Sequence, residues 1–251
     1  MPSRPQRPRP LDSSFFARDA CVVARDLVGK VLRRRFEGVW LAAAVIEAEA
    51  YYKGERGSHA SLGRTKSREA LFMPAGTIYM YHSRGGDSLN VSCLGEGNAI
   101  LVKSGVPFFD ARSPEKETLP VMQRLNPAAD GGPRPASRQC AGQTLLCRSL
   151  SLKIRDWDRR NFDPRAFYVE DVGYRPERVI VTRRLGIPAG RDEHLLYRYV
   201  DAARLASATQ NPLTRRSWRE GEDYFVLDPD DEDPNAGGPS RAPHETTRWL
   251  Q

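Results

Sequence analysis

The chain has 251 residues, a mean hydropathy of −0.58 and a formal net charge of +7. This length and polarity are typical of one soluble domain with a substantial core, and no stretch is apolar for long enough to be a membrane span. The four cysteines are too scattered for a disulfide framework and lack zinc-ligand spacing, so we expect reduced thiols in a cytoplasmic protein.

The two ends of the chain differ from its middle. Residues 1–10 are basic and rich in proline, without the apolar run of a signal peptide, and we expect a disordered arm. Residues 228–251 hold six acidic residues against two arginines. We expect a disordered tail that competes with a polyanionic partner for the basic face of the protein. Residues 11–227 are the predicted domain, and their basic excess favours a polyanionic partner whose affinity falls with salt.

The predicted elements begin with one helix. Asp12 or Ser13 can cap a helix in which apolar residues recur at helical spacing as far as Leu27, and Gly29 can end it. Residues rich in β-formers between glycine-containing turns then predict antiparallel strands over 31–36, 40–52, 77–82, 88–93 and 99–103. Residues 114–125 and 141–150 are predicted helices on either side of a loop. No internal repeat or domain boundary interrupts this pattern.

The predicted strand over residues 40–52 places carboxylates among aromatic residues. Its period of two sends Glu47, Glu49 and Tyr51 to one face, together with Val45. A carboxylate beside flat rings suits a pocket that stacks a nucleobase and activates a water next to it. The alternative, which the pattern alone favours, is that both glutamates lie on a solvated face of the sheet.

Seven sequence blocks follow one another in a recognisable order. They are DLVGKVL (26–32), IEAEAY (46–51), HAS (59–61), FMPAGTIYMY (72–81), LNVS (89–92), GEGNAILVK (95–103) and CAGQTLLC (140–147). In this order they resemble the alkyladenine DNA glycosylase family, also called the methylpurine or 3-methyladenine DNA glycosylases. The resemblance covers roughly residues 11–200 and implies a mixed α/β (α+β) single domain, with helices around a curved, largely antiparallel sheet.

The resemblance also implies a catalytic residue. Glu49 matches the family's catalytic glutamate, a general base that activates water at C1′ and stabilises positive charge on the sugar. Glu47 matches a neighbouring acid with a structural role. The chemistry implied in this way needs no metal, no cofactor and no lysine.

Four further positions match the pocket that holds a flipped base. Tyr51, His59 and Tyr81 match its stacking walls, which favour electron-poor alkylated purines through stacking and cation–π attraction. Asn90 matches a residue that excludes guanine by crowding its exocyclic amine. Without the resemblance, a core tyrosine, a loop histidine and a turn-capping asparagine would be the simpler interpretations.

Two positions depart from the family pattern. Arg84 stands where the family has an aromatic wedge that fills the gap left by the flipped base, and Gly85 and Gly86 beside it predict a flexible hairpin. Lys103 stands where the family has a phosphate-clamping arginine, so we expect it to bind DNA as a point charge.

The leading hypothesis is a monofunctional DNA glycosylase. It would hydrolyse the N-glycosidic bond of flipped alkylated or otherwise damaged purines in double-stranded DNA to start base excision repair, as a cytoplasmic, nucleoid-associated monomer. A non-catalytic nucleic-acid-binding module on the same fold is one alternative. A nucleoside hydrolase is another, although a small neutral substrate does not need a basic protein.

Overall fold

Ten strands form one sheet in the part of the chain that the computed structural model describes, residues 9–83, 85–209 and 218–238. The strands are β1 (Arg9–Pro10), β2 (Val31–Phe36), β3 (Val39–Tyr51), β4 (Ile78–Ser83), β5 (Gly86–Ser92), β6 (Ala99–Pro107), β7 (Phe167–Asp171), β8 (Val179–Thr182), β9 (Arg198–Asp201) and β10 (Tyr224–Leu227). Their order is β1-β7-β2-β3-β6-β5-β4, and β9, β8 and β10 extend from β3. Neighbouring strands run antiparallel, which confirms the predicted fold class.

Helices pack against the sheet and close its main core. The α-helices are α1 (Ser13–Phe16), α2 (Ala20–Leu27), α3 (Glu115–Leu125), α4 (Ala136–Gln139), α5 (Gln143–Ser149) and α6 (Ile154–Trp157). Short 3₁₀ helices span His59–Leu62, Glu69–Phe72 and Ala202–Ser207. The main core combines α2, α5 and one face of the central strands. None of the helices in the described ranges is long and apolar enough to cross a membrane.

The single helix predicted over residues 12–27 is wrong, because two helices occur there. Asp12 caps α1, and the Asp19 carboxylate accepts hydrogen bonds from the Cys21 and Val22 N–H groups at the start of α2. A second capping aspartate inside an apolar periodic segment therefore starts a new helix. The four cysteines are buried and free, as expected.

Strand β3 contains a β-bulge that decides which side chains reach the site. Its pairing with β6 passes from Val45 opposite Gly105, through Glu47 opposite Ser104, to Ala48 opposite Val102. An extra residue in one strand reverses the alternation beyond it. Val45 therefore packs in the main core with Ala48, and the prediction that it shares a face with the glutamates is wrong.

Residues 228–238 of the predicted acidic tail contact α2, and the expected disorder of the tail stays a prediction. The Arg25 guanidinium on α2 donates hydrogen bonds to the carbonyl groups of Asp228, Pro229 and Asp231, and Asp233 is buried. This part of the tail lies on the α2 side of the sheet. Residues 239–251 of the predicted tail and residues 1–8 of the predicted arm lie outside the described residues.

Candidate active site

A cavity of about 310 Å³ opens on the face of the sheet opposite α2. Its wall is aromatic on one side and is closed on the other by the loop that follows β8. The lining residues used below are Tyr51, His59, Tyr79, Tyr81, Asn90, Lys103 and Leu185. The structure therefore brings Tyr51, His59, Tyr81, Asn90 and Lys103, five of the predicted site residues, to one cavity.

Glu49 lies directly behind this cavity and is fully buried. Its Oε2 accepts a 2.7 Å hydrogen bond from the Tyr51 hydroxyl, and its Oε1 accepts one of 3.1 Å from the Leu185 N–H. The Lys103 Nζ lies 3.2 Å from Oε1 and 3.4 Å from Oε2. All three partners line the cavity, so each of them bridges the carboxylate and the cavity. Because Glu49 is fully buried, the alternative of a solvated strand glutamate is wrong.

The surroundings of Glu49 keep it ionised. Burial, the largest single influence, would raise the pKa of its carboxyl, and the cations of Lys103 and Arg198 act in the opposite direction. With the hydrogen bonds from Tyr51 and Leu185 they hold this pKa below its usual range. Burial and the neighbouring carboxylate raise the pKa of Tyr51, so its hydroxyl stays a donor. The site thus presents a carboxylate able to accept a proton at neutral pH.

A second buried ion pair lies beside the first. Arg198 is opposite Glu49 in the β3–β9 pairing, and its Nε donates a 2.6 Å hydrogen bond to Glu47. The other oxygen of Glu47 accepts a hydrogen bond from the Thr209 N–H. Both members are fully buried, and the terminal nitrogens of Arg198 have no hydrogen-bond partner within the described part of the chain. Glu47 thus forms an ion pair with a buried arginine, and its structural role stays a prediction.

Arg184 packs against a cavity residue, Tyr51, and the sequence did not single it out. Its guanidinium lies 4.5 Å from the centre of the Tyr51 ring, donates a 2.9 Å hydrogen bond to the Ala50 carbonyl and forms a buried ion pair with Glu55. It therefore supports Tyr51 from behind and fixes the backbone that leads to Leu185. The sequence signal was weak, since an arginine pair after an apolar strand is common on protein surfaces.

Three aromatic side chains form the cavity wall opposite the loop that follows β8. The His59 and Tyr81 rings meet edge to face with centres 4.5 Å apart, and Tyr79 stacks on Tyr81 at 5.6 Å. The His59 Nδ1 lies 3.0 Å from the Tyr79 hydroxyl. Burial, with Arg68 and Arg191 nearby, lowers the pKa of His59, so the ring is neutral near pH 7. Tyr79 was missed, although its spacing of two from Tyr81 placed both on one face.

Asn90 lies in the middle of β5, opposite Tyr79. It is buried, and its Nδ2 donates a 3.2 Å hydrogen bond to the Tyr79 carbonyl. The alternative that Asn90 caps a turn is therefore wrong. Its side chain forms part of the cavity floor.

The two predicted DNA-binding residues are Lys103, which the structure describes, and Arg84, which it does not. Lys103 is buried at the cavity and contacts Glu49, so its described contacts are those of a site residue, and binding of a phosphate by it stays a prediction. Arg84 lies outside the described residues. The hairpin next to it is braced, because Arg148 donates a 2.6 Å hydrogen bond to the Gly85 carbonyl and Thr144 packs against Gly86. Those contacts oppose the flexibility expected from the two glycines.

In the described ranges, no group of three or more His, Cys, Asp or Glu side chains is arranged to hold a metal ion.

Comparison with known proteins agrees with this geometry. The model of the methylpurine-DNA glycosylase family matches residues 14–204. A protein of Pseudomonas savastanoi pv. phaseolicola, provisionally named 3-methyladenine DNA glycosylase, is 58% identical over 221 residues, which cover 88% of this chain and 98% of that protein. Proteins with the same provisional name from Pseudomonas aeruginosa UCBPP-PA14 and Pseudomonas fluorescens Pf0-1 are 57% and 55% identical, over 87% and 88% of this chain and 91% and 95% of their own lengths.

Proposed function

Because the chain belongs to the methylpurine-DNA glycosylase family, we propose that this DNA glycosylase excises 3-methyladenine-like and other damaged purines from double-stranded DNA. The observation that carries the proposal is the ionised, fully buried Glu49 directly behind a cavity walled by aromatic rings. A carboxylate kept away from solvent next to a flat, stacking site suits hydrolysis at the sugar of an inserted nucleotide.

Glu49 acts as the general base. Loss of the base builds positive charge on the sugar, and the carboxylate stabilises that charge while it accepts a proton from the attacking water. Of its partners, the Lys103 ammonium has the longest contacts and a flexible stem, so its displacement makes room for a water at Glu49. Tyr51 and the Leu185 N–H hold the carboxylate in place meanwhile.

The aromatic wall selects the base. Tyr51, His59 and Tyr81 surround a slot in which an alkylated, positively charged purine gains cation–π and stacking energy that an ordinary purine does not. The neutral His59 ring does not repel such a base. Asn90 on the floor excludes guanine by crowding its exocyclic amine, as the family resemblance implies.

The substrate reaches this slot by leaving the helix. Flipping costs a few kcal/mol, less for damaged or mispaired bases, so the duplex itself contributes to selectivity. Arg84, which lies between β4 and β5 in the sequence, is the proposed wedge. We place the enzyme in the cytoplasm, at the nucleoid in a bacterium, acting as a monomer on one lesion at a time.

The test is single-turnover excision from duplexes that carry hypoxanthine, ethenoadenine or 3-methyladenine. Glu49→Gln should lose excision by about 10²–10⁴-fold while it still binds the duplex. Glu96→Gln removes an exposed glutamate and should excise like the wild type. Wild-type binding without excision of any lesion would instead support the binding module.

Salt dependence distinguishes a DNA glycosylase from the remaining alternative, a nucleoside hydrolase. Binding to DNA should weaken steeply as salt rises, because counterions are released from the phosphates. Hydrolysis of free nucleosides, with little response to salt, would support the nucleoside hydrolase instead.

A further inference from the structure

Leu62 is a large apolar side chain that lies exposed at the mouth of the cavity. It lines the cavity, yet its exposed fraction is 59%. The other exposed large apolar residues in the described ranges, Leu94 and Tyr174, do not line the cavity. Single exposed leucines are common on protein surfaces, so exposure alone does not indicate a function. What sets Leu62 apart is its position beside the site and the way its backbone is held there.

The backbone that carries Leu62 is fixed at both ends of a short element. Leu62 is the last residue of the 3₁₀ helix that begins at His59, and Ser58 caps the start of that helix. At the other end, the Arg68 guanidinium donates hydrogen bonds of 3.1 Å and 2.9 Å to the carbonyl groups of Leu62 and Gly63. Because His59 belongs to the aromatic wall, Leu62 has a defined position relative to the slot for the base.

Positive charge lies close to Leu62 on two elements. The segment that follows it, residues 63–69, holds three cations and one acid, namely Arg64, Lys66, Arg68 and Glu69. The exposed Arg191 lines the cavity from the loop after β8. Cations next to the mouth attract the phosphates of a strand that lies across it. The charges around Leu62 therefore favour a nucleic acid as the partner that covers it.

From these observations we propose that Leu62 inserts into duplex DNA beside the flipped nucleotide. Its side chain leaves water and packs against the base step next to the gap, as apolar wedges do in minor-groove binders. The inference deepens the proposed function and rests on it, because the gap exists only where a nucleotide has left the helix. It supplies an apolar contact, which an arginine at position 84 does not.

This contact should differ from the phosphate contacts in its response to salt. Phosphate contacts release counterions, so each of them steepens the fall of affinity with salt. An apolar contact releases none. Loss of the Leu62 side chain should therefore weaken binding by the same factor at every salt concentration. It should also leave binding to a single strand unchanged, because a single strand has no paired base step to enter.

The experiment measures binding of the full chain to a duplex that carries a tetrahydrofuran analogue of an abasic site, with 2-aminopurine as the neighbouring base. This base becomes more fluorescent when it is unstacked, so the wild type should raise the fluorescence. Leu62→Ser should bind at least about tenfold more weakly and give a smaller rise, because the leucine no longer leaves water. Leu62→Met keeps an apolar side chain of similar volume and should behave like the wild type.

Leu94→Ser is the matched control, since Leu94 is also 59% exposed but does not line the cavity. It should bind and fluoresce like the wild type. Equal losses in Leu62→Ser and Leu94→Ser, an equal loss of Leu62→Ser on the single-stranded form of the same oligonucleotide, or wild-type behaviour of Leu62→Ser on the duplex would each overturn the proposal. Because the analogue has no base to excise, insertion is measured separately from excision, and the two proposals fail in different assays.

Discussion

The Tyr51 hydroxyl donates a 2.7 Å hydrogen bond to Oε2 of Glu49, two residues earlier on the same face of β3. The Tyr51 ring also lines the cavity, and the Arg184 guanidinium lies 4.5 Å from its centre. One side chain thus joins the stacking wall to the carboxylate. The donor has two effects on the carboxylate, since it both orients the group and favours its ionised form.

Tyr51→Phe should shift the acid limb of the pH profile for excision. The phenylalanine keeps the ring but removes a hydrogen bond to a charged group, worth about 1.5–3 kcal/mol. Since that hydrogen bond helps to lower the pKa of Glu49, its loss raises the pKa, and the limb moves to higher pH by about one to two units. Single-turnover rates across the acid range measure this shift. Tyr197→Phe changes a tyrosine without a hydrogen bond to Glu49 and should leave the limb in place; an equal shift there would contradict the assignment.

The same carboxylate should make stability depend on pH. The pKa of Glu49 is lower in the folded protein than in the unfolded chain, where it is about 4.3. Its contribution to the free energy of unfolding is therefore complete well above pH 4.3 and is lost as pH falls through the lower folded value. Urea unfolding of the wild type and of Glu49→Gln measures this contribution. The difference in the free energy of unfolding between the two proteins should change over this acid range. A constant difference would contradict the lowered pKa.

The buried pair of Arg198 and Glu47 should couple strongly. Arg198→Met leaves a buried carboxylate without its partner and should cost about 3–5 kcal/mol. The double variant with Glu47→Gln removes both charges, so it should lose less stability than the two single variants together. The same cycle on the exposed pair of Arg219 and Glu222 should give a coupling of at most about 1 kcal/mol. Additive losses at the buried pair would show that the two charges do not depend on each other.

Gly86→Ala should destabilise the braced hairpin. A Cβ at this position would lie 2.8 Å from the Thr144 Cβ, so the strand or α5 must move, at a cost of about 1–3 kcal/mol. Thr144→Gly removes the clashing atoms and should recover part of this loss in the double variant. Thermal unfolding measures both effects. If the loss is the same with and without Thr144, the contact with α5 is not its cause.

Arg84→Ala tests the proposed wedge. A side chain that fills the gap left by the flipped base matters only where there is a duplex, so turnover of a paired lesion should fall much more than turnover of the same lesion in single-stranded DNA. Arg165→Ala removes one positive charge from an exposed site and supplies the control for charge alone. Equal losses of Arg84→Ala on both substrates would remove the wedge role.

Much of the fold was predictable because its signals are local. β-rich runs and glycine-containing turns identified strands β2 to β6, and helical periodicity identified α3 and α5. The alternation along β3 placed Glu49 and Tyr51 together. The later strands β7, β8 and β10 were not predicted, since apolar runs of four or five residues are too short to identify a strand by their periodicity.

The sequence by itself determined the carboxylate, the aromatic residues and their shared face, because side chains two residues apart on a strand meet without help from the rest of the chain. Only the tertiary structure decided which distant groups reach Glu49. Its partners come from residues 54 and 136 positions away, and their approach depends on strand register and on the bulge that turns Val45 into the core. The cations and hydrogen-bond donors that hold Glu49 ionised against the effect of burial come together only once the whole sheet has closed around it.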